Sequence, residues 1–327
     1  MAKNMTSEKA AEYVDIRLRL SESSRKALIR RYNRIAEDVR DLAAKGKMST
    51  TSPAKFTVDD FVEFVKYRKS KGNGASDLNH DISAMNQLMQ FCGNGHGEEA
   101  LRRNPDLRPQ TSYHRKDPLP DSVYDRILER YGELNKEDFH WVRAYTMVLM
   151  YIGTGCRNKE LRLAELSDLN VDNWTLRIRH PKGEGSYGGE RIVPIPEDIR
   201  PVVKTYLDAR WAWLHSRKVQ DSGALFFAMD AGHGFMSSNS VRRIKDKVAL
   251  DVGVKFEIRD CRRAFGQRYL DHGADLTSVS IAMGHKTTRT TEVYYARVTD
   301  EMAIQNLQGK WSGCPKAEKT GEEDGKA

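Results

Sequence analysis

YIGTGCRNKELRLAELSDLN, Tyr151 to Asn170, decides how the chain is read. The residues just before it, DFHWVRAYTMVLM, are apolar nearly all round, so their helix belongs in a core. The Gly-Thr-Gly of residues 153–155 breaks that helix, and Arg157 follows almost at once. Glu160 stands three residues later, placed either to support the arginine or to cap a new helix.

Working towards the C-terminus, WTLRIRH (174–180) and ERIVPIP (190–196) alternate as strands. They flank PKGEGSYGG, a glycine-rich hairpin loop containing Lys182. Helices are expected around 197–216, 238–250, 259–272 and 275–283, with a short one at TTEVYYARV (Thr290–Val298). In IRDCRRAFGQRYLDHG, Ile258, Cys261, Phe265 and Tyr269 form one buried stripe. Arg262 lies beside that stripe, with Arg259 and Arg263 further round. An arginine at the edge of a core needs an anion, because an unpaired buried charge is costly. A carboxylate meets that need, and so does a phosphate, which guanidinium matches bidentately.

Working towards the N-terminus, residues 94–118 lose all apolar periodicity and read as a linker with at most a short helical turn near Glu98–Arg103. Residues 21–93 carry three helical patterns. The first places Leu28, Tyr32, Ile35, Val39 and Leu42 on one face and Arg25, Lys26, Arg30, Arg31 and Arg34 on the other. The second opens on a capping-box pattern at Thr57 and Asp60, and the third stripes Leu78, Ile82, Met85 and Met89. The divisions expected are an N-terminal segment (1–20), a helical domain (21–93), a linker (94–118), a second domain (119–311) and a polar, disordered tail (312–327).

A chain of 327 residues suits about two domains, and its net charge of +8 favours a polyanionic partner, nucleic acid first. No apolar run approaches the roughly 18–20 residues of a membrane span, and MAKNMTSEKAAEYVD has no apolar signal core, so a cytoplasmic location is expected. Cys92, Cys156, Cys261 and Cys314 have no metal-clip spacing and are expected as free thiols. There is no phosphate-binding Gly-rich Lys loop and no acidic metal cluster, so no cofactor or metal is expected.

Several of these segments, in this order, resemble the tyrosine recombinases, also called the phage integrase family. TGCRNKELRLAELSDLN resembles the segment of the family's first arginine, and PKGEGSYGGERIVPIP its lysine-bearing hairpin. RDCRRAFGQRYLDHGADLTSVSIAMGHKTTRTTEVYYARV resembles its last segment. The resemblance covers about 118–308, and the N-terminal helices look like the family's core-binding domain. It implies a mainly α fold with a small β-sheet in the catalytic domain, and a two-domain clamp around double-stranded DNA.

The chemistry implied is attack of a tyrosine on a DNA phosphodiester, a 3′-phosphotyrosyl intermediate, then strand exchange and religation. Integration, excision and dimer resolution all use it. By resemblance Arg157 and Arg262 clamp the phosphate, Lys182 is the general acid, His285 bonds the phosphate or moves a proton, and Glu160 holds the site. Arg259 departs from the family's usual histidine and is expected as a third phosphate-binding arginine. Tyr294 lies nine residues after His285, the family's spacing for the nucleophile, and Tyr295 points roughly 100° away as a supporting residue. The basic face at Arg25, Lys26, Arg30, Arg31 and Arg34 is expected to bind DNA. A homo-tetramer on two DNA sites is implied, with the stripe Ile304, Leu307 and Trp311 of Thr299–Trp311 as a candidate exchanged helix. A type IB topoisomerase and a non-catalytic DNA-binding protein on the same fold are the competing readings.

Overall fold

The computed structural model describes residues 5–17, 20–111, 117–184, 188–230, 232–285, 287–289 and 291. The chain divides into two units, Met1–His114 and Arg115–Ala327, each with its own core. Expectations for Tyr294, Tyr295, Thr299–Trp311 and the tail 312–327 lie outside the described residues. No helix among the described residues is long and apolar enough to cross a membrane. Cys92, Cys156 and Cys261 are free thiols.

The first unit is helical: α1 (Met5–Asp15), α2 (Glu22–Ala44), α3 (Val58–Ser70), α4 (Ala75–Phe91) and α5 (His96–Arg103). The expected stripe of α2 is buried at Tyr32, Ile35, Val39 and Leu42, against Phe61 and Phe64 of α3 and Leu78, Ile82 and Met85 of α4. The capping box forms: Asp60 N donates to Thr57 Oγ1 at 3.1 Å, and Thr57 N donates to Asp60 Oδ2 at 2.9 Å.

Two segments differ from the sequence reading. Residues 1–20 include α1, whose Ala10, Tyr13 and Val14 enter the core. Three apolar residues among lysines and glutamates make too weak a stripe to stand out. The expected linker from residue 94 also starts with structure. Asn94 donates to the carbonyls of Pro53 and Phe56 (both 2.8 Å), and α5 buries Ala100 with Leu101 and Leu107 packed beside it. The helix is short and half charged, so contact with its neighbours, α3 and α4 foremost, holds it in place.

The second unit contains α6 (Asp121–Glu133), α7 (Phe139–Thr154), α8 (Asn158–Arg162), β1 (Leu169–Asn170), β2 (Thr175–Ile178), β3 (Arg191–Pro194), α9 (Arg200–Ser216), α10 (Ser238–Asp251), α11 (Ile258–Asp271) and α12 (Leu276–Met283). The sheet is antiparallel in the order β1-β2-β3. Helix α7 is buried from Val142 to Thr154 and packs against α6, α9, α10 and α11. The β2–β3 register pairs Leu176 with Val193 and Ile178 with Arg191.

Candidate active site

Helix α7 ends at Gly155, which adopts a left-handed backbone (φ +60°). A Cβ there would sit 2.6 Å from Phe265 Cδ1. This glycine therefore serves both the turn and a close approach to α11. Its carbonyl accepts from Arg262 Nη1 at 2.6 Å. Gly155→Ala is expected to destabilise the protein by about 1–3 kcal/mol through positive φ and the clash. A thermal melt that does not move would contradict this account of the turn.

Arg157 is the N-cap of α8, and Glu160 answers from the third helical position. The Glu160 carboxylate accepts from the backbone N of Arg157 (2.8 Å) and from its Nη1 (2.8 Å). Arg191 closes the other side, donating from Nη1 (3.2 Å) and Nη2 (2.7 Å) to Glu160 and from Nε (2.7 Å) to Ala282 O. Burial by itself raises the Glu160 pKa. The hydrogen bond and charge of Arg191, then the backbone and charge of Arg157, outweigh it and hold the group at about 2.

Arg262, a buried residue, donates from Nη2 to Met283 O and to His285 Nε2 at 3.1 Å. A guanidinium has no acceptor, so Nε2 is the accepting nitrogen. His285 Nδ1 then carries the proton and donates to Thr291 Oγ1 at 2.8 Å. Burial, with Arg262, Arg157 and Arg191 nearby, pulls the His285 pKa down to about 3. This histidine is neutral at pH 7 and orients Arg262.

These shifts set an acid sensitivity. Glu160 stays ionised in the fold at a pH where the unfolded chain takes up a proton, and His285 stays neutral there. Each depressed group thus contributes a loss of stability as pH falls, from about 6.5 towards 3 for His285 and from about 4.5 towards 2 for Glu160. The unfolding midpoint should fall between pH 6.5 and 4, and His285→Gln should flatten that part of the curve. An unchanged curve in the variant would remove His285 as its source.

The fold thus brings Arg157, Glu160, Arg262 and His285 together and adds Arg191. Within the cluster three guanidinium groups surround one carboxylate. The side chain of Arg157 is 27% exposed, against 7% for Arg191 and 6% for Arg262. Arg157 is the most solvent-exposed guanidinium of the three. Arg191 was recoverable from sequence. With Val193 and Ile195 it occupies the inward positions of an alternating strand, where an arginine demands an anion. The structure also supplies Thr291, buried against His285.

Among the described residues, the other expected ones form no hydrogen bond or ion pair with the cluster. Lys182 is exposed on the turn after β2, where its neighbour Glu184 pairs with Lys159 and His180 (both 2.9 Å). Arg259 is exposed in the first turn of α11, with no ion pair to a described residue. In the first unit Arg31 is engaged internally with buried Asp81, which also binds Arg68 Nε at 3.0 Å. Arg25 pairs with Asp15 (3.1 Å) and Lys26 with Glu22 (2.6 Å). Arg30 and Arg34 are exposed.

Residues 114–302, more than half of the chain, match the model of the phage integrase family. The chain belongs to the phage integrase family. Tyrosine recombinase XerA of Pyrococcus furiosus is 29% identical over 245 residues, 74% of this chain and 77% of that one. The fold is shared with the Tn1549 transposon integrase solved with transposon right-end DNA (TM-score 0.66, 15% identity, 93% of this chain and 98% of that one). It is also shared with the XerH site-specific recombinase bound to a palindromic difH substrate (TM-score 0.64, 14% identity, 93% and 84%). This phage integrase family member is an enzyme of the tyrosine recombinase type.

Proposed function

We infer that this chain is a site-specific DNA recombinase that cuts and rejoins strands through Tyr294. The observation that carries the reading is the cluster of Arg157, Arg191 and Arg262 closed around Glu160, with Arg157 open to solvent. In the reaction, Tyr294 Oη bonds to phosphorus as the P–O5′ bond breaks. The phenolic proton passes to water and Lys182 protonates O5′. The product is a 3′-phosphotyrosyl link, and a 5′-hydroxyl from the second site then reverses the step. A free tyrosine, with a pKa of about 10, is ionised in roughly one molecule in a thousand at pH 7, so nearby guanidinium groups are needed to favour the phenolate. The same groups stabilise the charge that builds on the phosphorane. The bond energy is stored in the covalent link, so religation needs no separate energy source.

His285 acts by orienting Arg262 rather than by carrying a proton, and Arg259 is a third phosphate-binding arginine that cannot titrate at neutral pH. Arg259→His should cleave progressively more slowly than the native chain from pH 6 to 9, as the imidazole (pKa about 6.5) loses its charge, while Arg259→Ala should slow cleavage throughout. Native-rate cleavage by Arg259→Ala would show that the position takes no part. DNA is held additionally by the exposed basic residues of α2, and the working assembly is a homo-tetramer on two sites. Binding should weaken steeply with salt, since lysine and arginine displace counterions.

The deciding experiment treats cells expressing the chain with SDS and sequences any DNA still joined to it. A nicked duplex carrying the recovered site should then accumulate an SDS-stable adduct. Absence of any adduct would overturn the reading in favour of a DNA-binding role, and relaxation of plasmid lacking the site would favour a topoisomerase.

A further inference from the structure

Arg191 is the feature of the site that no assigned role absorbs. It is the first residue of β3, paired in register with Ile178 at the end of β2. It is therefore the inward-facing residue of β3 closest to the turn that carries Lys182. Its three donor nitrogens reach two other elements. Two form a fork on Glu160, at the start of α8, and Nε holds Ala282 O, at the end of α12. The contact with the α12 turn is close. Gly284, with φ +65°, would place a Cβ 3.0–3.2 Å from three atoms of the Arg191 guanidinium.

Among the described residues, Arg179 ties the end of β2 to Asp168 (2.5 Å) and Glu165 (3.2 Å), just before β1, and not to the clamp. Arg177 pairs with Glu190 across the exposed strands (2.6 Å), and Lys159 reaches Glu184 (2.9 Å). Both pairs lie in solvent, where each is worth at most about 1 kcal/mol. The Arg191–Glu160 pair is buried on both sides, with side-chain exposures of 7% and 1%. Breaking such a pair strands a charge. A lysine cannot replace it fully, because a single ammonium cannot present a planar fork and a third donor to these acceptors.

We propose that Arg191 is a positioning residue for DNA cleavage: it docks the Lys182 hairpin onto the phosphate clamp through Glu160 and Ala282. This rests on the recombinase reading. Losing Arg191 frees the hairpin and leaves the leaving O5′ without a well-placed proton donor. The loss should therefore disappear when the leaving atom needs no proton.

The test uses the full-length chain and the nicked duplex recovered above, made with either oxygen or sulfur at the 5′-bridging position of the cut phosphate. A thiolate leaves without general-acid help. On the oxygen duplex, single-turnover adduct formation by Arg191→Ala should fall about 100-fold, within the range for losing a general acid. Arg191→Lys should fall less, and duplex affinity should stay within about 2-fold of native. On the sulfur duplex both variants should approach the native rate. Lys182→Ala should show the same recovery.

Native-rate cleavage of the oxygen duplex by the variants would overturn the proposal. So would a defect that sulfur does not repair, since that would place Arg191 in the phosphate clamp or in the fold alone. If Arg191→Ala does not fold, Arg191→Lys, which keeps the buried charge, carries the same comparison. Failure of the native chain to form an adduct would instead count against the recombinase reading.

Discussion

Tyr294→Phe is expected to abolish the SDS-stable DNA adduct, while Tyr295→Phe leaves it. Removing the attacking atom removes the reaction, and losses on the order of 10⁶-fold accompany deletion of a nucleophile. Among the described residues of the site no nucleophile replaces it. His285 is committed on both ring nitrogens, and Cys156 and Cys261 are buried with their thiol pKa values pushed up. Binding of the duplex should be unchanged in Tyr294→Phe, because a phenyl ring keeps the shape. The two tyrosines are adjacent and point roughly 100° apart on a helix, so one substitution cannot imitate the other. An adduct that survives in Tyr294→Phe and vanishes in Tyr295→Phe would move the nucleophile by one residue.

Arg262→Ala should have the next largest effect, on both stability and rate. Its guanidinium joins three elements: the α7 turn at Gly155, the end of α12 at Met283, and His285. Truncation leaves these buried acceptors without donors, each costing about 1–3 kcal/mol where water does not reach. In the proposed reaction it would also remove a charge that stabilises the phosphorane, for which losses of about 10²–10³ in rate are typical. Circular-dichroism melts and single-turnover cleavage separate the two effects. Arg262→Lys keeps the charge and should recover part of the stability but little of the rate, since the bidentate geometry is gone. Full cleavage by Arg262→Lys would mean that a point charge is sufficient at this position.

Much of this was legible in sequence because its signals are local. The core stripe of α2, the capping box of α3 and the all-apolar face of α7 follow from spacing within one element. The break at Gly155 and the pairing of Arg157 with Glu160 lie within six residues of each other. Helices α1 and α5 escaped because each is short, charged and ordered mainly by its neighbours.

The roles of the charged residues divide along the same line. The resemblance of the sequence segments to the family marks Arg157, Arg262 and His285 as a set, and the family's spacing puts the expected nucleophile at Tyr294, nine residues after the histidine. Helical spacing marks five basic residues on α2 as one surface. Only the tertiary structure withdraws Arg31 into a pair with Asp81, 50 residues away. Only it brings Arg191 onto Glu160 from the far side of a hairpin, and fixes His285 as neutral by burying it, with Arg262, Arg157 and Arg191 nearby. Sequence periodicity decides which side chains are buried. Which charges meet, and so which stay free for a phosphate, depends on distances between segments up to 147 residues apart, such as Arg268 and Asp121. Coulomb energy follows separation and solvent exposure in space, not position along the chain.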